Sequence, residues 1–220
     1  MAASTLSESI EMYLKSLAEL DAYQPVAISR LAERLGVTQV SATEMVKKLV
    51  EQGLVDHLPY KGVILTDTGK KLAFSVIRRQ RLWECFLHDH LNIEWARIYD
   101  FACDLEHATA PEVTEALSAF LGAPTTCPHG DPIPATDGSF EQLTGIPLSA
   151  LSVGQSGTIL AVLASNSEVL QYLHTRDVLP GNDVTVLEIA PLQGPLTLKI
   201  GDKEIAVGLQ MADYVLVQPA

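Results

Sequence analysis

The apolar residues at the start of the chain recur at helical intervals. They predict amphipathic helices over residues 7–20, 28–35 and 39–52, and the second and third of these stop at a glycine, as helices commonly do. Two β-type runs over 54–58 and 62–66 follow, joined by a short turn that contains proline. Two helices with a tight turn between them, followed by a hairpin, predict a winged helix-turn-helix domain. A small α+β domain without DNA-binding activity is the alternative.

The rest of the chain changes character twice. Helices are predicted over 68–90, 93–108 and 111–121, and their apolar surface exceeds what a winged helix could cover, which favours dimerisation. Residues 122–138 contain four prolines and three glycines and are predicted to be a linker. One helical piece over 167–176 and five short β-type runs then predict a small SH3-like barrel. The runs begin at Gly157, Asp183, Leu196, Lys203 and Tyr214.

Charge is distributed unevenly along the chain. The formal net charge of -12 by itself argues against a nucleic-acid partner. Between residues 30 and 81, however, ten basic residues stand against five acidic ones. A local basic surface is what contact with DNA phosphates requires, so a double-stranded DNA operator is the expected partner.

Polar residues at the start of the predicted recognition helix are candidates for base contacts. We expect these to be Thr38, Gln39, Ser41 and Thr43, with capping and solvation as the alternative for each. Phosphate contacts are expected from Lys47, Lys48 and Lys61, the last of them on the wing.

The compartment is predicted from two features. The start of the chain, Met1 to Glu11, has no basic or apolar targeting segment, and no later stretch is long and apolar enough to span a membrane. Three widely spaced cysteines, Cys85, Cys103 and Cys127, favour free thiols in a reducing compartment. The protein is therefore expected in the cytoplasm, without a membrane partner.

A short cluster in the second of the later helices carries the chemistry. Cys103, Glu106 and His107 fall within an arc of roughly 100° on a helix, so a thiolate, a carboxylate and an imidazole point the same way. Such a mixed set of donors favours first-row transition ions over magnesium or calcium. A helix with a buried cysteine and two solvated side chains is the alternative.

Four motifs together resemble the diphtheria toxin repressor family of iron- and manganese-dependent regulators over nearly the whole chain. They are Glu11-Met12-Tyr13-Leu14, Leu65-Thr66-Asp67-Thr68-Gly69-Lys70, Cys103-x-x-Glu106-His107 and Cys127-Pro-His-Gly-Asp-Pro-Ile-Pro. The fold class is then mainly α with β. We expect a winged helix over 1–67, a helical metal-binding and dimerisation domain over 68–122, a linker over 123–145 and an SH3-like domain over 146–220.

The resemblance implies a regulatory Fe²⁺ or Mn²⁺ ion held by Met12, Cys103, Glu106 and His107. Core packing is the alternative for Met12. Because Met12 and the other donors belong to different domains, the ion would fix a homodimer in the arrangement that binds its operator. The implied function is repression of metal-uptake genes.

A second metal site of that family corresponds here to Gln80, Glu84 and Tyr99. An amide and a neutral phenol are weak ligands, so any second site is expected to be weaker. His88, one turn beyond Glu84, is expected to be a surface histidine. Cys127 and His129 are interpreted as part of a structural turn rather than as ligands.

Two other classes of protein remain as alternatives. An enzyme would use Cys103 as nucleophile and His107 as base, but no oxyanion-type loop lies near them in the sequence, so no enzymatic activity is expected. A metal-independent winged-helix transcription factor, with the barrel as a partner or ligand module, is the stronger rival. Metal dependence of DNA binding separates it from the main hypothesis.

Overall fold

The structure is a computed structural model that describes residues 7–220, so the first six residues of the winged helix predicted over 1–67 lie outside the described residues. The chain divides into two compact units. The first contains the residues up to Arg79 together with Pro134–Phe140, and the second contains Gln80–Ile133 and Glu141–Ala220. In the described residues, no helix is both long and apolar enough to cross a membrane.

Three short helices and a hairpin form most of the first unit. The elements are α1 (Glu8–Asp21), α2 (Ile28–Leu35), α3 (Gln39–Glu51), β1 (Val55–Leu58) and β2 (Gly62–Leu65). The two strands pair antiparallel, with Val55 opposite Leu65. Leu14, Leu31 and Leu49, one from each helix, are completely or almost completely buried in one shared core. The predicted winged helix-turn-helix is therefore confirmed.

Local chemistry explains the tight geometry of this unit. Gly36 ends α2 in the left-handed conformation (φ 64°), which glycine adopts without steric cost. A methyl group on Gly62 would come within 2.2 Å of the Val26 carbonyl oxygen. Glycine is required at that position because Val26 bridges Val63 of β2.

Three further helices follow: α4 (Asp67–Asp89), α5 (Ile98–Ala108) and α6 (Pro111–Phe120). The prediction that α5 begins near residue 93 was wrong. Trp95 and Ala96 are buried in the core of the C-terminal sheet, and the Trp95 indole Nε1 donates to the Pro128 carbonyl oxygen (2.9 Å). This packing holds the preceding residues as a loop, in which Asn92 has a positive φ of 52°.

The C-terminal region is one antiparallel sheet. Its strands are β3 (Ile146–Pro147), β4 (Ser156–Val162), β5 (Asp183–Ile189), β6 (Leu196–Ile200), β7 (Lys203–Val207) and β8 (Val215–Pro219), in the order β3-β8-β4-β5-β6-β7. Helices α7 (Ser167–His174) and α8 (Leu209–Ala212) complete it. The predicted small β domain is confirmed, but β3 was not predicted because two residues carry no readable period.

Part of the predicted linker belongs to the first unit. The Phe140 ring stacks on Phe74 of α4 with ring centroids 5.0 Å apart. The Arg78 guanidinium donates to the Pro134 carbonyl oxygen (3.0 Å). Residues 134–140 are thus held against the first unit by an aromatic contact and a hydrogen bond.

Candidate metal centres and DNA-binding surface

The first candidate centre lies on α5, where the sequence predicted a donor cluster. Glu106 is completely buried, and its Oε1 lies 3.3 Å from Nε2 of the neighbouring His107. The His107 side chain is 12% exposed, and Cys103, one turn earlier, is half-buried. Thiolate, carboxylate and imidazole are donor types that first-row transition ions accept, so these donors fit a divalent cation. Met12 lies half-buried on α1 in the other unit, and its role as a ligand stays a prediction.

A second cluster of donors lies entirely within the second unit. Glu84 of α4 and the linker residues Cys127 and His129 are all buried, and one donor atom from each lies within 4.8 Å of the others. His129 Nδ1 is 3.2 Å from Glu84 Oε2. Carboxylate, thiol and imidazole are the donor types that hold first-row transition ions. The three residues that converge here therefore fit a metal centre.

Backbone contacts fix the loop that carries Cys127 and His129. The Gly130 amide donates to the Cys127 carbonyl oxygen (2.9 Å), which closes a tight turn, and the His129 carbonyl oxygen accepts from the Val162 amide of β4 (2.9 Å). A methyl group on Gly130 would lie 2.1 Å from the Leu160 carbonyl oxygen, so only glycine fits. The predicted structural turn exists, and it also delivers two donors to Glu84.

Electrostatics within this cluster favour a charged pair. Burial alone would raise the pKa of Glu84, but the charge and hydrogen bond of His129 outweigh it, so the pKa of this carboxyl is lowered. Burial likewise opposes protonation of His129, yet the Glu84 carboxylate raises the pKa of this imidazole. For Cys127, burial and the Glu84 charge together raise the pKa of the thiol well above its ordinary value. Its ligation therefore requires displacement of a proton.

The residues that the sequence suggested for a second site, Gln80 and Tyr99, and the neighbouring His88 have separate contacts. The Gln80 amide Nε2 donates to Glu84 Oε1 (2.9 Å), so Gln80 orients the carboxylate. Tyr99 packs against the core of the C-terminal sheet. His88 is at the surface, where its Nδ1 lies 2.7 Å from Asp89 Oδ1.

Sequence reasoning did not bring Cys127 and His129 together with Glu84. The signal was present in the printed sequence, because Cys-Pro-His-Gly combines two donors with residues that force a fixed turn. The third donor, Glu84, is not part of this motif, because it lies more than forty residues earlier in the chain.

The predicted DNA-binding residues lie on α3 and the wing. Thr38 is the N-cap of α3, and its Oγ1 accepts from the Ser41 amide (3.1 Å) and lies 2.9 Å from Ser41 Oγ. The Thr43 hydroxyl donates to the Gln39 carbonyl oxygen (2.7 Å). These hydroxyls thus have local hydrogen bonds, and their base contacts stay predictions. The three lysines of the prediction are all exposed: Lys47, Lys48 and Lys61.

A winged helix combined with two clusters of transition-metal donors, each containing a buried glutamate, defines a metal-responsive DNA-binding protein. Three segments match known domain families. Residues 5–63 match the iron dependent repressor N-terminal DNA binding domain, residues 66–135 the iron dependent repressor metal binding and dimerisation domain, and residues 146–219 the FeoA domain.

Whole-chain similarities agree with these matches. The diphtheria toxin repressor of Corynebacterium efficiens is 30% identical over 193 residues, which cover 83% of this chain and 84% of that protein. The iron-dependent repressor IdeR of Mycobacterium bovis is 27% identical over 226 residues, covering 97% and 98%. A solved manganese-dependent transcriptional repressor in complex with manganese superposes with a TM-score of 0.88 at 32% identity, covering 96% of this chain and all of that one. The chain belongs to the diphtheria toxin repressor family of iron- and manganese-dependent transcriptional repressors.

Proposed function

We propose that this protein represses metal-uptake genes by binding a DNA operator as a homodimer when it is loaded with Fe²⁺ or Mn²⁺. It acts as a regulator without enzymatic activity, in the cytoplasm where its operator lies. The observation that carries the proposal is the set of donors around the buried Glu106 on α5, in a chain that also holds a winged helix.

The α5 centre is proposed to bind the regulatory ion. Cys103, Glu106 and His107 supply sulfur, oxygen and nitrogen donors, and Met12 is proposed to add a thioether. When bound, the ion supplies a fixed positive charge that the buried Glu106 carboxylate neutralises. Because the proposed donors come from both units, metal and DNA would each raise the affinity of the protein for the other by the same factor.

A second ion is proposed at Glu84, Cys127 and His129. The contacts of this loop support it: Glu84 is on α4, the His129 carbonyl oxygen bonds to β4, and His129 Nε2 lies 3.1 Å from the Trp95 carbonyl oxygen. Metal binding at this site would therefore restrict the movement of the end of α4 relative to the C-terminal sheet.

Dimerisation is proposed to use an aromatic surface on α4 and α6. Phe86, His90 and Phe120 are in mutual ring contact, with centroids 4.9–6.0 Å apart. Phe120 is 64% exposed in the single chain, and it lies in the segment that matches a dimerisation domain. A second copy of the chain would bury these rings.

The proposal is tested by DNA binding with and without metal. Metal-free protein is prepared anaerobically and offered random-sequence duplexes with Mn²⁺, with Fe²⁺ or with a chelator. We expect enrichment of one operator-like sequence only with metal. Cys103→Ser and His107→Ala should abolish this metal dependence, since each removes a donor from the α5 centre.

Matched controls keep the result interpretable. Cys85→Ser removes a buried thiol outside both centres, and His88→Ala removes a surface imidazole, so both should retain metal-dependent binding. Circular dichroism checks that each variant is folded. Equal DNA affinity of the wild type with metal and with chelator would contradict the proposal and favour the metal-independent transcription factor.

A further inference from the structure

The recognition helix α3 has two exposed side chains, Val40 and Glu44, that take no part in the capping and hydroxyl hydrogen bonds described above. On α3 the residues Ala42, Val46 and Leu49 are buried. At 100° per residue, Val40 and Glu44 lie nearly opposite this buried stripe, one turn apart. Val40 is 74% exposed and the Glu44 side chain is 62% exposed. They therefore form the centre of the face that this helix turns away from its own core.

Each of these side chains is unusual on a face that approaches DNA. The valine side chain forms no hydrogen bonds with water. In the major groove, an apolar side chain can contact the thymine methyl group. A carboxylate is repelled by phosphates and by the acceptor atoms of guanine, but it accepts a hydrogen bond from the cytosine amino group. Lys47 Nζ lies 2.7 Å from Glu44 Oε1, which offsets the negative charge beside the backbone.

We propose that Val40 and Glu44 determine the operator sequence, Val40 by contact with a thymine methyl group and Glu44 by accepting from a cytosine amino group. This inference rests on the proposed function, since it assigns specificity to the same DNA-binding helix. Thr38 and Ser41 then have a separate task, because their mutual hydrogen bonds hold the start of α3 that carries Val40.

The first experiment removes single methyl groups from DNA. Wild-type protein with Mn²⁺ selects a site from random-sequence duplexes, and each thymine of that site is then replaced by uracil, one at a time. At one position in each half-site, the wild type should lose about fourfold in affinity, as expected for one buried methyl group. Val40→Ala should show no loss of affinity when uracil replaces thymine at that position. The control Val50→Ala, on the same helix, should show the same loss as the wild type.

The second experiment changes the Glu44 carboxylate, which is the proposed hydrogen-bond acceptor. Glu44→Gln should convert a selected cytosine to adenine at one position, with a preference of about tenfold, because a primary amide pairs with adenine. Glu51→Gln, a second exposed carboxylate on α3, should select the wild-type sequence.

Two outcomes would overturn the inference while leaving the proposed function intact. In the first, Val40→Ala keeps the wild-type response to uracil at every position. In the second, Glu44→Gln selects the wild-type sequence. A wild type that selects no sequence with Mn²⁺ would overturn the proposed function and this inference with it.

Discussion

Burial decides what the cysteine residues can do. Burial raises the pKa of the Cys85 thiol to about 12, and its Sγ donates to the Thr126 carbonyl oxygen (3.7 Å). This thiol is held protonated and inert, because only the thiolate is a metal ligand. Cys127 is equally buried but lies beside His129 and Glu84, where a cation can replace its proton. We therefore expect Cys85 to stay a core thiol and Cys127 to act as the proposed ligand.

Metal stoichiometry tests the second centre at the level of single residues. Anaerobic equilibrium dialysis of the wild type should give two Mn²⁺ or Fe²⁺ ions per chain. Cys127→Ser and His129→Ala should each reduce the stoichiometry to one at the same free metal concentration, because each removes one of three protein donors.

The controls for this experiment are Cys85→Ser and Tyr99→Phe. Both should leave two ions bound, since the proposed donors of the second ion are Glu84, Cys127 and His129. A loss of the second ion in Tyr99→Phe but not in Cys127→Ser would instead support the site predicted from Gln80, Glu84 and Tyr99.

At the level of elements, the start of α3 depends on one side chain. Thr38 caps the helix through its Oγ1, which accepts from the Ser41 amide. The amide groups of the first helical turn have no partner within the helix, so such a cap satisfies one of them.

Thr38→Ala should destabilise the first turn of α3 by about 1 kcal/mol, because it removes the capping acceptor. Amide hydrogen exchange of α3, measured by mass spectrometry without DNA, should become about fivefold faster. Ser41→Ala is the matched control, since the amide that donates to Thr38 is retained and exchange should change less. Equal acceleration in both variants would show that the hydroxyl pair, rather than the cap, stabilises this turn.

The element boundaries also show how neighbours override local pattern. The helical period favours a helix from residue 93, yet α5 begins at Ile98. Trp95 is the cause, since its indole is buried in the sheet core and bonded to Pro128. Burial of a tryptophan outweighs the small helical propensity of a few preceding residues.

For the molecule as a whole, assembly is expected to depend on the aromatic surface of Phe86, His90 and Phe120. Phe120→Glu should produce a monomer, because a charge placed among these rings would be buried without a partner in the dimer. The mass in solution, measured by light scattering after size exclusion, should fall by half. Affinity for the selected operator should fall with it, since two half-sites need two recognition helices.

Leu192→Glu provides the control for this change. Leu192 is fully exposed in the turn between β5 and β6, so the same charge is introduced on another surface of the chain. This variant should remain dimeric. A dimeric Phe120→Glu would show that another surface joins the two copies.

The sequence alone predicted the elements that depend on short-range pattern. The three N-terminal helices, the wing and the small β domain follow from periods of 3.6 and 2 residues and from glycine positions such as Gly36. The sequence also placed Cys103, Glu106 and His107 on one helix, which is α5, and their role as ligands stays a prediction. The four motifs that resemble a known family were sufficient to predict the metal-dependent repressor fold.

Only the tertiary structure decided which distant residues meet. Glu84 and His129 are 3.2 Å apart, although 44 residues separate them in the chain. No period within a segment encodes such a distance, because it results from how the turn at Gly130 packs against β4. For the same reason the exposed face of α3 could be assigned only once Ala42, Val46 and Leu49 were placed in the core. Short-range patterns determined the elements and the donors that share α5, whereas long-range packing determined which donors from distant elements meet.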